Sequence, residues 1–278
     1  MIVSLELDVQ RKKDLFGKLY SLFHPYDITA KIRKQNKVSL LQLRCVSYRS
    51  KMNLHKLLPF LSGCSNQVLC SSELDLKDMP LQRFESSDLT VRLMMNFVCH
   101  VLDSADMSPR EIRIGLYDPT AAFADLTDRL LPYTSRLTVV SDLPRYYEIK
   151  SDMLMDEFGI PLFVSAEVSA LSSCDIVIAP LSIRRPLPIS SHTAVFSAER
   201  PALSLGYDVF FDYIVDVPYK YQRIQPESLG NLYYLSALYT LCGVRELDKL
   251  VPEQCSDGNG LFSADRLSRR LLNIRKSA

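Results

Sequence analysis

Between residues 111 and 179 extended and helical signals take turns, and this alternation restricts the fold more than any other feature. Residues 111–116, 137–140, 161–164 and 175–179 read as short strands. Residues 120–131 and 144–158 read as helices between them, with a further helical turn or two over 166–171. Strands separated by helices pair in parallel through right-handed crossovers. The stretch Asp175-Ile-Val-Ile-Ala is apolar after its first residue, as expected of a central strand covered on both faces. Candidate strands at 193–196 and 202–205 extend the sheet, and helices over 227–242 and 263–274 follow. The chain is expected to be α/β with two lobes, 1–105 and 106–278. The second is a mainly parallel sheet with helices on both faces.

The first lobe has its own signals. Val3, Leu5, Leu7 and Val9 alternate as in a strand. A helix is expected over 11–23, a long strand over 37–48, a short helix capped by Asn53, and a brief strand at 67–70. Leu89, Leu93, Met94, Phe97, Val98 and Val101 then recur at helical spacing. Residues 1–51 carry eleven Lys or Arg against four Asp or Glu, net +7, although the whole chain is only +1. Arg11, Lys12, Lys13, Lys18, Lys31, Arg33, Lys34 and Lys37 fall close together. They read either as lysines guarding a strand edge and a solvated helix face, or as a surface whose field attracts polyanions. No recognition helix or aromatic RNA-binding signature accompanies them. The expectation is no specific nucleic-acid binding.

Composition removes several chemistries. There are 9 glycines, where average usage of about 7% would give roughly 19. Bare backbone for cradling phosphates is therefore scarce. Seven cysteines (45, 64, 70, 99, 174, 242 and 255) include no C-x-x-C pair, so neither a disulfide framework nor a zinc site is expected. Asp208, Asp212 and Asp216 are spaced by four, but no further ligand stands beside them and no metal site is assigned. The first residues alternate apolar and polar and carry acids where a signal peptide needs bases. No apolar stretch reaches the roughly 18 residues of a membrane span. A cytoplasmic chain without a membrane partner is expected.

The candidate site lies where the strands of the second lobe end. In a dinucleotide-binding unit the first strand-to-helix turn reads G-x-G-x-x-G, so that backbone can approach a pyrophosphate. Here the corresponding turn is Tyr117-Asp118-Pro119-Thr120, and Gly115 lies inside the strand. Either Asp118 or Thr120 caps the helix, or Asp118 and the helix amino end hold a polar ligand other than a pyrophosphate. Asp142 closes the second strand, where such folds hold ribose hydroxyls, with Arg145 near enough to meet a 2′-phosphate. Ser141-Asp142-Leu-Pro144 is also a standard helix start. Tyr117, Asp118, Thr120, Ser141, Asp142 and Pro180 are the expected ligand-binding residues. No G-x-S-x-G, P-loop or H-E-x-x-H pattern occurs, and no catalytic residue is assigned. NAD(P) is disfavoured by the missing glycines.

An amino-terminal α/β lobe, a long connecting helix over 87–102 and a strand–helix–strand unit from Glu111 together resemble the layout of shikimate-dehydrogenase-like and amino-acid-dehydrogenase-like proteins. The chain is also similar to bacterial proteins with a degenerate Rossmann-like domain. The resemblance implies a small-molecule or nucleotide-binding protein with its ligand near Asp118 and Asp142, in one form a divergent oxidoreductase. The alternative is a non-catalytic structural or interaction protein that kept the fold without a cofactor. In that case Tyr117, Phe123, Tyr146 and Tyr147 would fill the crevice.

Overall fold

The computed structural model describes residues 1–10, 23–48, 54–61, 66–77 and 79–276. The chain packs as two units, the first formed by residues 1–89 and 216–247, the second by 90–215 and 248–278. The expected boundary near residue 105 falls elsewhere than this division. The helix Asp88–Ala105 buries Met94, Phe97, Val98 and Val101 in the core of the second unit.

Among the described residues the first unit holds a five-stranded sheet ordered β2-β3-β1-β4-β5, with β1 (Ile2–Val9), β2 (Tyr26–Gln35), β3 (Val38–Ser47), β4 (Gln67–Leu69) and β5 (Gln82–Arg83). Strands β2 and β3 form an antiparallel hairpin from Gln35↔Val38 to Tyr26↔Ser47. Its turn, Asn36-Lys37, takes φ values of 47° and 67°, the double left-handed geometry that matches the twist of a tight hairpin. The other pairings are parallel. Val3, Leu5, Leu41, Leu43 and Cys45 form one apolar face with Leu57 from the 3-10 helix Leu54–Leu61. The helix Asn231–Cys242 packs on β1. Strand β2 had no counterpart in the sequence reading. Its alternation is masked by Lys31, Arg33 and Lys34, and most of the strand is exposed. The helix expected over 11–23 and the cap expected at Asn53 lie outside the described residues, except for Phe23.

The second unit carries an all-parallel sheet, six-stranded among the described residues and flanked by helices. It is built from β6 (Arg113–Tyr117), β7 (Arg136–Val140), β8 (Leu162–Ser165), β9 (Ile176–Ala179), β10 (Ala194–Ser197) and β11 (Val209–Phe210), ordered β11-β10-β9-β6-β7-β8. From β6 the chain steps outward through β7 to β8, returns to β9, and steps the other way to β11. Counted within the sheet this is order 3-2-1-4-5-6, the doubly wound arrangement. Ile114, Leu116, Leu137, Val139, Ile176, Ile178 and Phe196 face a core shared with the helices Asp88–Ala105, Leu126–Leu130, Pro144–Phe158 and Ala264–Lys276. Tyr117, Val140, Val177, Ala179 and Val195 face the other way, toward the 3-10 helix Val168–Ser173 and the loop through Ile183 and Leu187. An antiparallel ribbon of β12 (Asp212–Ile214), β13 (Gln254–Ser256) and β14 (Leu261–Ser263) adds Cys255 and Phe262 to the first of these cores.

Two expected elements differ. Residues 202–205 form no strand, and the sheet is closed instead by β11. The helix after β6 is confined to Leu126–Leu130 because residues 118–125 form turns, with Ala121 at φ 54°. No helix among the described residues is long and apolar enough to cross a membrane.

Gly115 explains the close seating of the 3-10 helix. A Cβ there would come within 2.6 Å of Leu171 Cδ2 and 3.1 Å of Cys174 Sγ. Gly115→Val is expected to destabilise the protein by about 1–3 kcal/mol through overpacking, measured as a lower urea midpoint with an unchanged slope.

Candidate functional site

Asp118 follows β6 directly and is fully buried. Its side chain accepts four hydrogen bonds. Oδ1 receives the Thr120 amide at 3.3 Å and the Thr120 hydroxyl at 3.0 Å. Oδ2 receives the Phe123 amide at 2.8 Å and the Tyr147 hydroxyl at 2.7 Å. The Asp118 amide donates to Val140 O, tying the end of β6 to β7. Amides that a glycine-rich turn would offer to a pyrophosphate are therefore taken by a carboxylate of the chain itself. A pyrophosphate does not fit over this turn: its place holds a negative charge, and Pro119 and Thr120 stand where glycines would let it approach.

Burial and the Asp118 bond push the Tyr147 phenol far above its ordinary value, so it stays protonated and donates. Tyr147 reaches Asp118 because the helix Pro144–Phe158 lies against the sheet, burying Tyr147 and Leu154. Sequence reasoning placed Tyr147 as a filler of the crevice and missed its hydroxyl. Tyr146, on the same helix, is 65% exposed.

Beside this closed turn lies an open cluster. Arg185, in the loop after β9, donates from Nε to the Tyr117 hydroxyl at 3.0 Å and from Nη2 to Asp142 Oδ1 at 3.0 Å. Its guanidinium also lies 5.6 Å from the centre of the Tyr117 ring. The bond to Tyr117, followed by the Asp142 charge, stabilises its protonated form. Asp142 is not the cap of the following helix. That position is Leu143, which makes no side-chain cap bond, and Pro144 begins the helix. The Leu143 amide donates to Ser141 Oγ at 3.2 Å, so buried Ser141 shapes the turn that turns Asp142 outward. The guanidinium meeting Asp142 belongs to Arg185 rather than Arg145.

Of the six expected residues, Tyr117 and Asp142 meet through Arg185, Asp118 and Thr120 bind each other, and Ser141 and Pro180 are buried at strand ends. Arg185 was missed because nothing in Ile183-Arg-Arg-Pro186 sets it apart until β9 and β6 are known to be neighbours. A cavity of about 670 Å³ elsewhere in this unit lies between residues 200–211 and 257–259. Its acids are already engaged: Asp208 pairs with Arg270 at 2.8 Å, and Asp257 accepts the Asn259 and Gly260 amides. No three His, Cys, Asp or Glu among the described residues converge to hold a metal. Burial pushes the Cys45 and Cys174 thiols up to about 11 and Cys255 to about 12, leaving them inert at neutral pH.

No protein-family model matches the chain, and no curated protein does. Among solved structures it is similar to the L-tryptophan dehydrogenase of Nostoc punctiforme, at 12% identity and a TM-score of 0.36 over 100% of this chain and 90% of that one. It is similar to the Thermococcus litoralis Δ1-pyrroline-2-carboxylate reductase, solved with NADH and L-proline, at 12% identity and a TM-score of 0.30, covering 66% of this chain and 60% of that one. An archaeal alanine dehydrogenase with bound NAD is similar at 13% identity and a TM-score of 0.30, with 65% of this chain and 58% of that one covered. The match thus spans about three fifths of the reductase and of the alanine dehydrogenase.

Two outcomes follow from the buried phenols and thiols. Tyr147→Phe, which removes one hydrogen bond to a buried carboxylate, is expected to cost about 1.5–3 kcal/mol, read from denaturant unfolding. Native thiols at Cys45, Cys174 and Cys255 and native phenols at Tyr147 and Tyr213 hold their protons above the ordinary values of 9.0 and 10.0. The unfolded chain releases those protons first, so stability is complete below about pH 8.5 and falls as pH rises. A pH series of melting curves should show this alkaline decline, shallower above about pH 10 in Tyr147→Phe.

Proposed function

We propose that the second unit binds a small polar molecule or nucleoside-like ligand at the carboxyl ends of its parallel strands, near Asp118 and Asp142. The observation that carries this reading is the meeting of Tyr117, Asp142 and Arg185. They come from the ends of β6, β7 and β9, and β6 and β9 flank the point where strand order reverses. Open α/β sheets form their binding crevice there. Asp142 is 58% and Arg185 44% exposed on its side chain, so a carboxylate and a guanidinium both face solvent. The carboxylate accepts from ligand hydroxyls and the guanidinium donates to ligand oxygens. Asp118 acts indirectly by fixing the turn that presents Tyr117. A divergent oxidoreductase is the enzymatic form of this reading, and its ligand would bind without a pyrophosphate over the β6 turn.

Thermal-shift titration with nucleosides, sugars, acidic metabolites and NAD(H) tests the proposal. A hydroxyl-bearing ligand should raise the melting temperature, and Asp142→Ala and Arg185→Ala should each abolish that rise. The same variants should alter unliganded stability by no more than about 1 kcal/mol, since an exposed ion pair contributes little. NAD(H) should bind no tighter than the corresponding nucleoside. If no compound stabilises the protein, or the two variants leave the shift intact, the reading fails and an interaction protein takes its place.

A further inference from the structure

The first unit holds a second concentration of polar side chains, on the sheet face opposite the Val3–Leu43–Leu57 core. Strand register fixes its membership. Glu6 pairs with Arg44, and Arg44 with Thr29; Lys31 pairs with Gln42, and Arg33 stands two residues along β2 from Lys31. These side chains line a pocket of about 240 Å³ whose remaining wall is Glu227. At roughly 30 Å³ per water the pocket has room for about eight water molecules, which suits a small acid.

Three cations, Lys31, Arg33 and Arg44, line this pocket against two carboxylates, Glu6 and Glu227. Among the described residues Arg44 has one ion pair, with Asp8 at 3.8 Å, both side chains well exposed. Arg33 donates to the Arg223 carbonyl at 3.4 Å, a neutral partner. Lys31 has no ion pair among the described residues. Like charges on neighbouring positions of one sheet face repel, and a bound anion relieves that cost. Glu6 Oε1 receives Gln42 Nε2 at 3.0 Å and Ser228 Oγ at 2.8 Å, both neutral donors, which hold the carboxylate in place at the pocket wall.

The bond to Glu6 also settles the orientation of Gln42. Its amide nitrogen is committed, and its Oε1 is buried without a hydrogen-bond partner. A buried carbonyl oxygen lacking a donor costs about 1–3 kcal/mol. We infer that this pocket takes a small anion, carboxylate or phosphate, that also carries a hydroxyl or amine. The acid group meets Lys31, Arg33 and Arg44, and the hydroxyl or amine donates to Gln42 Oε1. This inference is independent of the crevice beside Asp142.

Calorimetric titration of the full chain with matched probes tests it. Malate is compared with succinate, and glycerol phosphate with inorganic phosphate. The hydroxylated member of at least one pair should bind about tenfold tighter, and the pair that responds separates carboxylate from phosphate. Lys31→Gln combined with Arg44→Gln should weaken that ligand by about tenfold or more. Gln42→Leu should abolish the preference for the hydroxylated probe while leaving the weaker binding of its partner. Circular-dichroism melting of each variant confirms folding, and dependence on Lys31, Arg44 and Gln42 separates this site from the crevice. Equal binding within both pairs, binding insensitive to the charge variants, or no binding of any probe at millimolar concentration overturns the inference.

Discussion

A buried carboxylate needs donors, and the way Asp118 obtains them organises the carboxyl-terminal edge of the parallel sheet in the second unit. Two backbone amides and two hydroxyls converge on it. Hydrogen bonds to a charged group contribute about 1.5–3 kcal/mol each, whereas an unpaired buried charge is among the costliest defects a fold can hold. The turn after β6 wraps around this side chain. That is why residues 118–125 are not helical, why Ala121 sits at positive φ, and why Tyr147 is drawn inward from its helix. Strand β6 and the helix Pro144–Phe158 are thereby joined by a polar bond inside an otherwise apolar contact.

The same arrangement changes what the fold can bind. A dinucleotide domain leaves its first turn open so that an external anion completes it. Here the chain supplies the anion. What stays open is the neighbouring rim, where Arg185 spans from Tyr117 to Asp142. The parallel sheet matters for this geometry because it places the carboxyl ends of β6, β7 and β9 on one edge. Residues 117, 142 and 185, distant in sequence, then lie within a few ångströms of one another.

The first unit shows a related principle on a mixed sheet. One face is apolar and covered by the 3-10 helix Leu54–Leu61, while the other carries charge. Period-two alternation sends Glu6, Gln42 and Arg44 to that polar face because their neighbours are needed in the core, and the β2–β3 register brings Lys31 beside them. The tight Asn36-Lys37 turn sets the register, and register decides which charges become neighbours.

The sequence by itself determined the alternation of strands and helices from β6 to β9, the apolar character of β9, and the parallel pairing that follows. These are local signals, carried by periodicity and by helix stops such as Gly159. It also determined that no glycine-rich phosphate loop exists, and it pointed to Tyr117, Asp118 and Asp142 at strand ends. Only the tertiary structure decided the roles of those residues. Whether Asp118 caps a helix, faces a ligand or is buried depends on Tyr147, 29 residues away and brought near by packing. Whether Asp142 caps its helix or points outward depends on Arg185, which arrives from beyond β9. The exposed strand β2 was equally illegible, since its charged residues hide the alternation and pairing with β3 holds it extended. Local chemistry sets which elements form; the partners of a polar side chain are set by chain segments that meet only in the fold.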